Sequence, residues 1–127
     1  MPLVRIDLNE GRTPAQIAAL GDAVHRAIVE TIDVPSLDRF QVITAHAPGR
    51  LVADPEYLGV KRSSDVVFVQ ITLNVGRTLE KKMALYAAIA RNLAADAGFR
   101  PQDVLVNLVE VAKADWSFGN GIAQYVV

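Results

Sequence analysis

The chain contains no cysteine, which removes disulfides, thiolate metal sites and thiol nucleophiles together. Histidine is scarce as well: His25 and His46 are the only two, too few for most metal clusters. No sign of charge dominates, with 13 Lys and Arg against 14 Asp and Glu and a formal net charge of −1. Without a basic surplus the chain is a poor general binder of nucleic acid or of anionic membranes. Its apolar runs stop at about strand length, so no segment suits a membrane span. The opening Met-Pro-Leu-Val-Arg-Ile-Asp meets a charge almost at once and lacks the apolar stretch of a signal peptide. What remains is 127 residues, 51% hydrophobic and 21% charged, enough for one well-cored domain and little more. The expectation is a cytoplasmic globular domain that works with nitrogen and oxygen groups, without a metal or an organic cofactor.

An internal duplication organises this length. Leu8-Asn9-Glu10-Gly11-Arg12-Thr13 returns as Leu73-Asn74-Val75-Gly76-Arg77-Thr78, and the alignment extends on both sides without a gap. Val4, Ile6, Ala19, Leu20, Ala23, Arg26 and Asp38 match Val69, Ile71, Ala84, Leu85, Ala88, Arg91 and Asp103. Each copy reads as strand, helix, strand. Leu3 to Leu8 alternates apolar and polar residues as a half-buried strand should. Gly11 suits a turn, Thr13 an N-cap, Pro14 the first helical position, and Gln16 completes a capping box. Ile17, Leu20, Val24, Ile28 and Ile32 then form an apolar stripe opposite Asp22, Arg26 and Glu30, and Phe40 to Thr44 supplies a second strand. In the second copy, Val66 to Leu73 is a strand. A helix from Thr78 to about Ala97 carries Met83, Tyr86, Ala90 and Leu93 on one stripe and ends at Gly98, and Val104 to Val111 is the fourth strand.

A helical crossover makes the strands it joins parallel. The expected fold is therefore α+β: two β-α-β units related by a pseudo-two-fold axis, in one four-stranded sheet with both helices on one face. The divisions are 1–44 for the first unit, 45–65 for a connecting loop or hairpin with a short strand, 66–111 for the second unit, and 112–127 for a tail. In the tail, Asn120-Gly121 is a hairpin-turn dipeptide and Ile122 to Val127 reads as a short strand that pairs with another surface.

The inventory of chemistry is thin. There is no Ser-His-Asp pattern, no phosphate loop and no His-x-x-x-His, and the Gly-Arg-Thr turns lack the other glycines of a dinucleotide fingerprint. One unusual group is the chain's own terminus. Methionine before a small residue is normally trimmed, which would expose the secondary amine of Pro2. Model α-amines titrate near about 8, and burial or a neighbouring cation lowers this value while a carboxylate raises it. A neutral Pro2 would be a general base and a cationic one a general acid; the plain alternative is that Pro2 merely begins a strand. Arg77 precedes the N-cap Thr78, where unpaired backbone N–H groups and the helix dipole already favour an anion, and a guanidinium there can grip a carboxylate in bidentate fashion. If the pseudo-two-fold makes the two first strands antiparallel neighbours, Pro2 faces the Arg77 turn. Arg12, in the equivalent spot, is read as part of a helix-entry turn, and His25 as a surface residue. Trp116 could serve as a core anchor alone. Arg39 and Arg62 are open between subunit contacts and substrate charge, and Tyr125 and Val127 would line a neighbouring pocket if the tail crosses an interface.

Pro2-Leu3 with Asp7-Leu8, Glu10-Gly11-Arg12-Thr13, Val34-Pro35 with Asp38-Arg39, Arg62-Ser63-Ser64 and, most specifically, Ala114-Asp115-Trp116-Ser117-Phe118-Gly119 resemble the tautomerase superfamily. That superfamily includes 4-oxalocrotonate tautomerase, malonate semialdehyde decarboxylase and the 3-chloroacrylic acid dehalogenases. The resemblance covers nearly the whole chain and lies nearest the malonate semialdehyde decarboxylase-like branch. It implies that Pro2 is the catalytic amine, that Asp38 sets its charge or positions water, that Trp116 and Phe118 wall the pocket, and that the protein is a homotrimer with its sheets facing inward. The decarboxylase carries an Arg-Pro-Arg run where this chain reads Asn74-Val75-Gly76, and the nearest arginine is Arg77. That departure leaves a more generic tautomerase pattern, with Asn74 and Arg77 at the substrate.

Three readings follow. The first is a keto–enol tautomerase of small 2-oxo or enol carboxylic acids with Pro2 as base. The second is a decarboxylase or hydratase with cationic Pro2 and Asp38 active. The third is a non-catalytic oligomeric scaffold.

Overall fold

The computed structural model describes residues 1–126, and Val127, assigned above to the last strand and to a neighbouring pocket, lies outside the described residues. Its elements are β1 (Leu3–Asn9), α1 (Pro14–Thr31), β2 (Phe40–His46), β3 (Val67–Asn74), α2 (Leu79–Ala97) and β4 (Val104–Val111). The four strands form one sheet in the order β2-β1-β3-β4. β1 runs parallel to β2 and β3 parallel to β4, while the central pair β1–β3 is antiparallel, with Leu3 opposite Thr72 and Leu8 opposite Val67. This register is the expected duplication seen as structure: the start of each unit's first strand meets the end of the other's.

Local chemistry explains why the two units fold alike. After β1 and β3 the backbone turns at Gly11 (φ +125°) and Gly76 (φ +121°), conformations that a side chain would strain. An arginine follows each glycine, then a threonine N-cap whose φ is −71° in both copies and whose hydroxyl accepts from the third helical N–H. In α1, Pro14 and the Thr13–Gln16 capping box complete the start. Val4, Ile6 and Leu8 of β1 and Val67, Val69, Ile71 and Leu73 of β3 point to one side of the sheet. There they are buried against Leu20, Val24 and Ile28 of α1 and Leu85, Ile89 and Leu93 of α2. Each fully buried aliphatic side chain contributes roughly 1.5–3 kcal/mol, so this single layer between sheet and helices is what holds the fold.

Three expectations need correction. The buried face of α2 is Leu85, Ala88, Ile89, Asn92 and Leu93, whereas Met83 and Tyr86 are exposed. Alanines fill so many positions of this helix that hydrophobicity alone does not fix its phase, and the buried Asn92 is tolerated because its amide donates to the Ala23 carbonyl at 3.2 Å. The connection 45–65 forms no strand beyond the end of β2. It is a loop with one 3₁₀ turn, Tyr57–Gly59, gathered by Arg62, whose guanidinium donates to the carbonyls of Asp54, Tyr57 and Val60. In the tail, Asn120 (φ +58°) and Gly121 (φ +67°) do form a turn closed by Ile122 N–H to the Gly119 carbonyl, but residues 122–126 are not a strand. Gln124 folds back instead, accepting from Phe118 N–H at 2.9 Å and donating to the Gly119 carbonyl at 3.0 Å. These bonds take up the tail's polar groups without a partner strand. No described helix is long and apolar enough to cross a membrane.

Candidate active site

The antiparallel β1–β3 register brings the chain's beginning to the end of β3, next to the Gly76-Arg77 turn. Pro2 is buried, and with Met1, Leu3, Phe40, Trp116, Ser117 and Phe118 it lines a cavity of about 240 Å³. Phe40 reaches this place because it pairs with Leu3 at the start of the parallel β1–β2 ladder. Trp116 and Phe118 arrive from the tail, which leaves β4 through a short 3₁₀ turn at Lys113–Asp115.

The apolar wall is a cluster of four rings. Trp116 stacks on Phe118 at 5.4 Å with an interplanar angle of 11°. Phe40 lies tilted on the same ring at 5.9 Å, and Tyr125 meets it edge-on at 5.2 Å. Such pairs add about 0.5–1.5 kcal/mol each beyond burial, which keeps a short, strandless tail over the cavity. Phe40 as a pocket residue was not read from the sequence, although its place at the first position of β2, beside the terminus, was a usable signal.

Asp38, Asn74 and Arg77 stand beside this cavity and are not part of its lining; Arg77 itself lines a neighbouring cavity of about 320 Å³ with Asp33, Gly76 and Lys81. Asp38 Oδ2 lies 3.9 Å from the Met1 amine, and its Oδ1 is buried without a hydrogen-bond partner among the described residues. A buried carboxylate oxygen left so is costly, and it is an acceptor ready for water, an ammonium or a substrate hydroxyl. Arg77 donates to the Asn74 carbonyl at 3.1 Å and to the Ile32 carbonyl at 3.4 Å. Asn74 in turn accepts from Trp116 Nε1–H at 2.7 Å through its side-chain oxygen. Burial holds the Met1 amine below its ordinary value, Asp38 pulls it back up, and Arg77 pushes it down again. Tyr125 senses the same groups: burial and Asp38 raise its hydroxyl, while Arg77 works against them. Thus the six residues singled out from the sequence, Pro2, Asp38, Asn74, Arg77, Trp116 and Phe118, meet at one end of the sheet, and Tyr125 joins them.

The pseudo-symmetric end of the sheet is built differently. It has the larger cavity, about 550 Å³, lined by residues that include Asn9, Glu10, Ser63 and Asp65. Arg12, the counterpart of Arg77, is already held by Asp65 in a bidentate pair at 2.7 and 2.9 Å and lies over the Phe99 ring at 3.7 Å. Asp103, the counterpart of Asp38, is buried and accepts from Ser63 N–H at 2.7 Å and Ser63 Oγ–H at 2.6 Å. The residue equivalent to Pro2 is Val67, far inside the chain. At that end Arg12, Asp65 and Asp103 are satisfied internally.

The other polar residues make contacts within the chain. His25 Nε2 bonds the Ser36 carbonyl, and His46 Nε2 pairs with Asp7 at 2.7 Å. Arg39 is engaged by Asp22 and Gln41, and Arg62 by its own loop.

Comparison with known proteins agrees with this geometry. A family model described as "Tautomerase enzyme" matches residues 38–119, and a second of the same description matches residues 2–61. The probable tautomerase YusQ of Bacillus subtilis (strain 168) is 39% identical over 126 residues, covering 99% of both chains. Among solved structures, FG41 malonate semialdehyde decarboxylase inhibited by 3-bromopropiolate is 45% identical with a TM-score of 0.92, over 98% of this chain and 94% of that one. A wild-type fused 4-OT symmetric trimer is 28% identical with a TM-score of 0.80, over 97% of each chain. With the sheet, the terminal amine and the aromatic wall all in place, the chain belongs to the tautomerase family of enzymes.

Proposed function

We propose that, once Met1 is removed, the chain is a cofactor-independent keto–enol tautomerase of small 2-oxo or enol carboxylic acids, with the Pro2 amine as general base. The observation that carries this reading is the setting of the terminal amine, which burial and Arg77 hold below its ordinary value. A Pro2 amine at the same mouth meets the same apolar walls and guanidinium, which favour its neutral form, and the same Asp38 carboxylate, which opposes them. In ketonisation, Pro2 takes the enol O–H proton and returns it to the adjacent carbon. One O–H bond breaks, one C–H bond forms, and no electrons leave the substrate.

Arg77 binds the carboxylate and offsets charge that develops on the enolate, a preorganised electrostatic role. The Arg12–Asp65 pair supports this assignment, because there the equivalent guanidinium grips a carboxylate with both nitrogens. Trp116 and Phe118 keep water from the reacting atoms, and Asn74 contacts the substrate. Asp38 opposes Arg77 and tunes the amine.

A second reading has its own support. Malonate semialdehyde decarboxylase is the name of the 45% identical structure, and the unpartnered Asp38 Oδ1 is suited to hold an ammonium or a water. A cationic Pro2 would then act as general acid in decarboxylation or hydration. We further propose a homotrimer, because Phe40, Val42, Leu105 and Val109 leave apolar area exposed on the sheet face away from the helices and the fused 4-OT relative is a trimer. The test is a substrate panel on Met-free protein: ketonisation of phenylenolpyruvate, lost in Pro2→Ala, supports the tautomerase. Preferred turnover of malonate semialdehyde under the same control favours the second reading.

A further inference from the structure

Asn74 ends β3 on the open face of the sheet, and the register that sets Leu3 opposite Thr72 sets Met1 opposite Asn74 when continued by two residues. That register puts the carboxamide on the same sheet face as Met1, and Met1 lines the cavity beside Pro2. Trp116 Nε1–H donates to Asn74 Oδ1 at 2.7 Å. An indole N–H can only donate, so the carboxamide must turn its oxygen to Trp116 and its NH2 the other way. Chemistry thus settles an orientation that electron density often leaves open. Arg77 holds the same residue from behind through its main-chain carbonyl at 3.1 Å, and no described residue accepts a hydrogen bond from Asn74 Nδ2.

We infer that Trp116 is a positioning residue: its indole N–H locks the Asn74 carboxamide so that Nδ2 donates to the substrate oxygen that becomes enolate. A carboxamide free to flip would spend part of its time presenting Oδ1 to that oxygen, where like partial charges repel. Locking it gives the site a donor that needs no reorganisation when negative charge develops. This inference deepens the tautomerase reading and rests on it for the identity of the substrate oxygen. The competing role for Trp116 is that of an apolar wall, which its stack on Phe118 serves equally well. The two roles separate cleanly in Trp116→Phe, which keeps an aromatic ring on Phe118 and removes the N–H.

The experiment is a double-mutant cycle on Met-free protein with phenylenolpyruvate: wild type, Trp116→Phe, Asn74→Ala and the double variant, each with kcat and KM resolved. Trp116→Phe is expected to lower kcat about tenfold, in line with one lost hydrogen bond, with little change in KM. The double variant is expected to be no slower than Asn74→Ala alone, because the indole acts only through the carboxamide. Wild-type kcat in Trp116→Phe, or losses that simply multiply in the double variant, would overturn the inference. A second readout does not depend on turnover. The chain has one tryptophan, so its single indole ¹H–¹⁵N resonance reports the bond directly, and it should move in Asn74→Ala. If wild type shows no Pro2-dependent ketonisation, the tautomerase reading fails while the resonance still judges the positioning: displaced in Asn74→Ala it supports the clamp, unmoved it refutes it.

Discussion

Asp38→Asn removes a charge from the terminal amine while leaving the shape of the pocket nearly intact. In the structure the carboxylate lies 3.9 Å from the Met1 amine. At about 4 Å, opposite unit charges interact by roughly 1 kcal/mol in water and about 4 kcal/mol at an effective dielectric near 20. Both groups are largely covered, at 5% and 17% exposure, so the attraction is at least the water value, and each 1.36 kcal/mol corresponds to about one pH unit. Asp38 favours the ammonium, so its loss stabilises the neutral amine and lowers the amine's pKa. For a general base, the acid limb of the kcat/KM profile should then move about one unit towards lower pH, with the plateau retained. The assay is steady-state ketonisation of phenylenolpyruvate by Met-free wild type and Asp38→Asn across the pH range in which both stay folded, checked by circular dichroism. A limb that stays in place, or moves upward, would refute the electrostatic role assigned to Asp38. A general acid would behave in the opposite way, because the variant would lose its active ammonium at lower pH.

Other outcomes follow from the same geometry. Arg77→Ala should lower kcat/KM for a carboxylate substrate by about 10²-fold, and Arg77→Lys should restore little, because a point charge does not replace a bidentate fork; steady-state kinetics on both variants checks this. Asp103→Ala strips the acceptor from two Ser63 donors and should cost roughly 3 kcal/mol or more in urea unfolding. Asp65→Ala leaves Arg12 without its partner and should cost about 1–3 kcal/mol of stability while phenylenolpyruvate turnover is unchanged. Val109→Asp on the open sheet face should shift a trimer towards monomer in light scattering, since a buried unpaired charge opposes assembly.

Much of this architecture was legible in the residues. Threonine caps, a proline at the first helical position and glycines that must turn with positive φ are local rules, and they recur in both units. The duplication supplied the rest, because two β-α-β units in antiparallel contact bring Pro2 to Arg77 with no further information. The misphased stripe of α2 marks a limit: among alanines, burial is decided by what α1 presents, including the Ala23 carbonyl that receives Asn92. The tail marks another. Ile122 to Val126 has the composition of a strand, but Gln124 satisfies the backbone at Phe118 and Gly119 and closes the segment on itself. Contacts such as Arg12 with Asp65 or Trp116 with Asn74 join residues far apart in the chain, and no spacing rule predicts them. They explain why the charged groups at one end of a nearly symmetric sheet pair with each other, while at the other end Asp38 keeps an unpartnered oxygen among the described residues.

The central claim is that the neutral Pro2 amine is the base, and the pH profile of kcat/KM for Met-free protein, with Pro2→Ala beside it, tests this most directly. Protonation silences a base, so activity should rise with pH to a plateau. The midpoint should lie below the ordinary α-amine value near 8, as burial and Arg77 hold the terminal amine down. Pro2→Ala should lose about 10²-fold or more. Activity that falls through the same range, or that survives Pro2→Ala undiminished, would contradict the account.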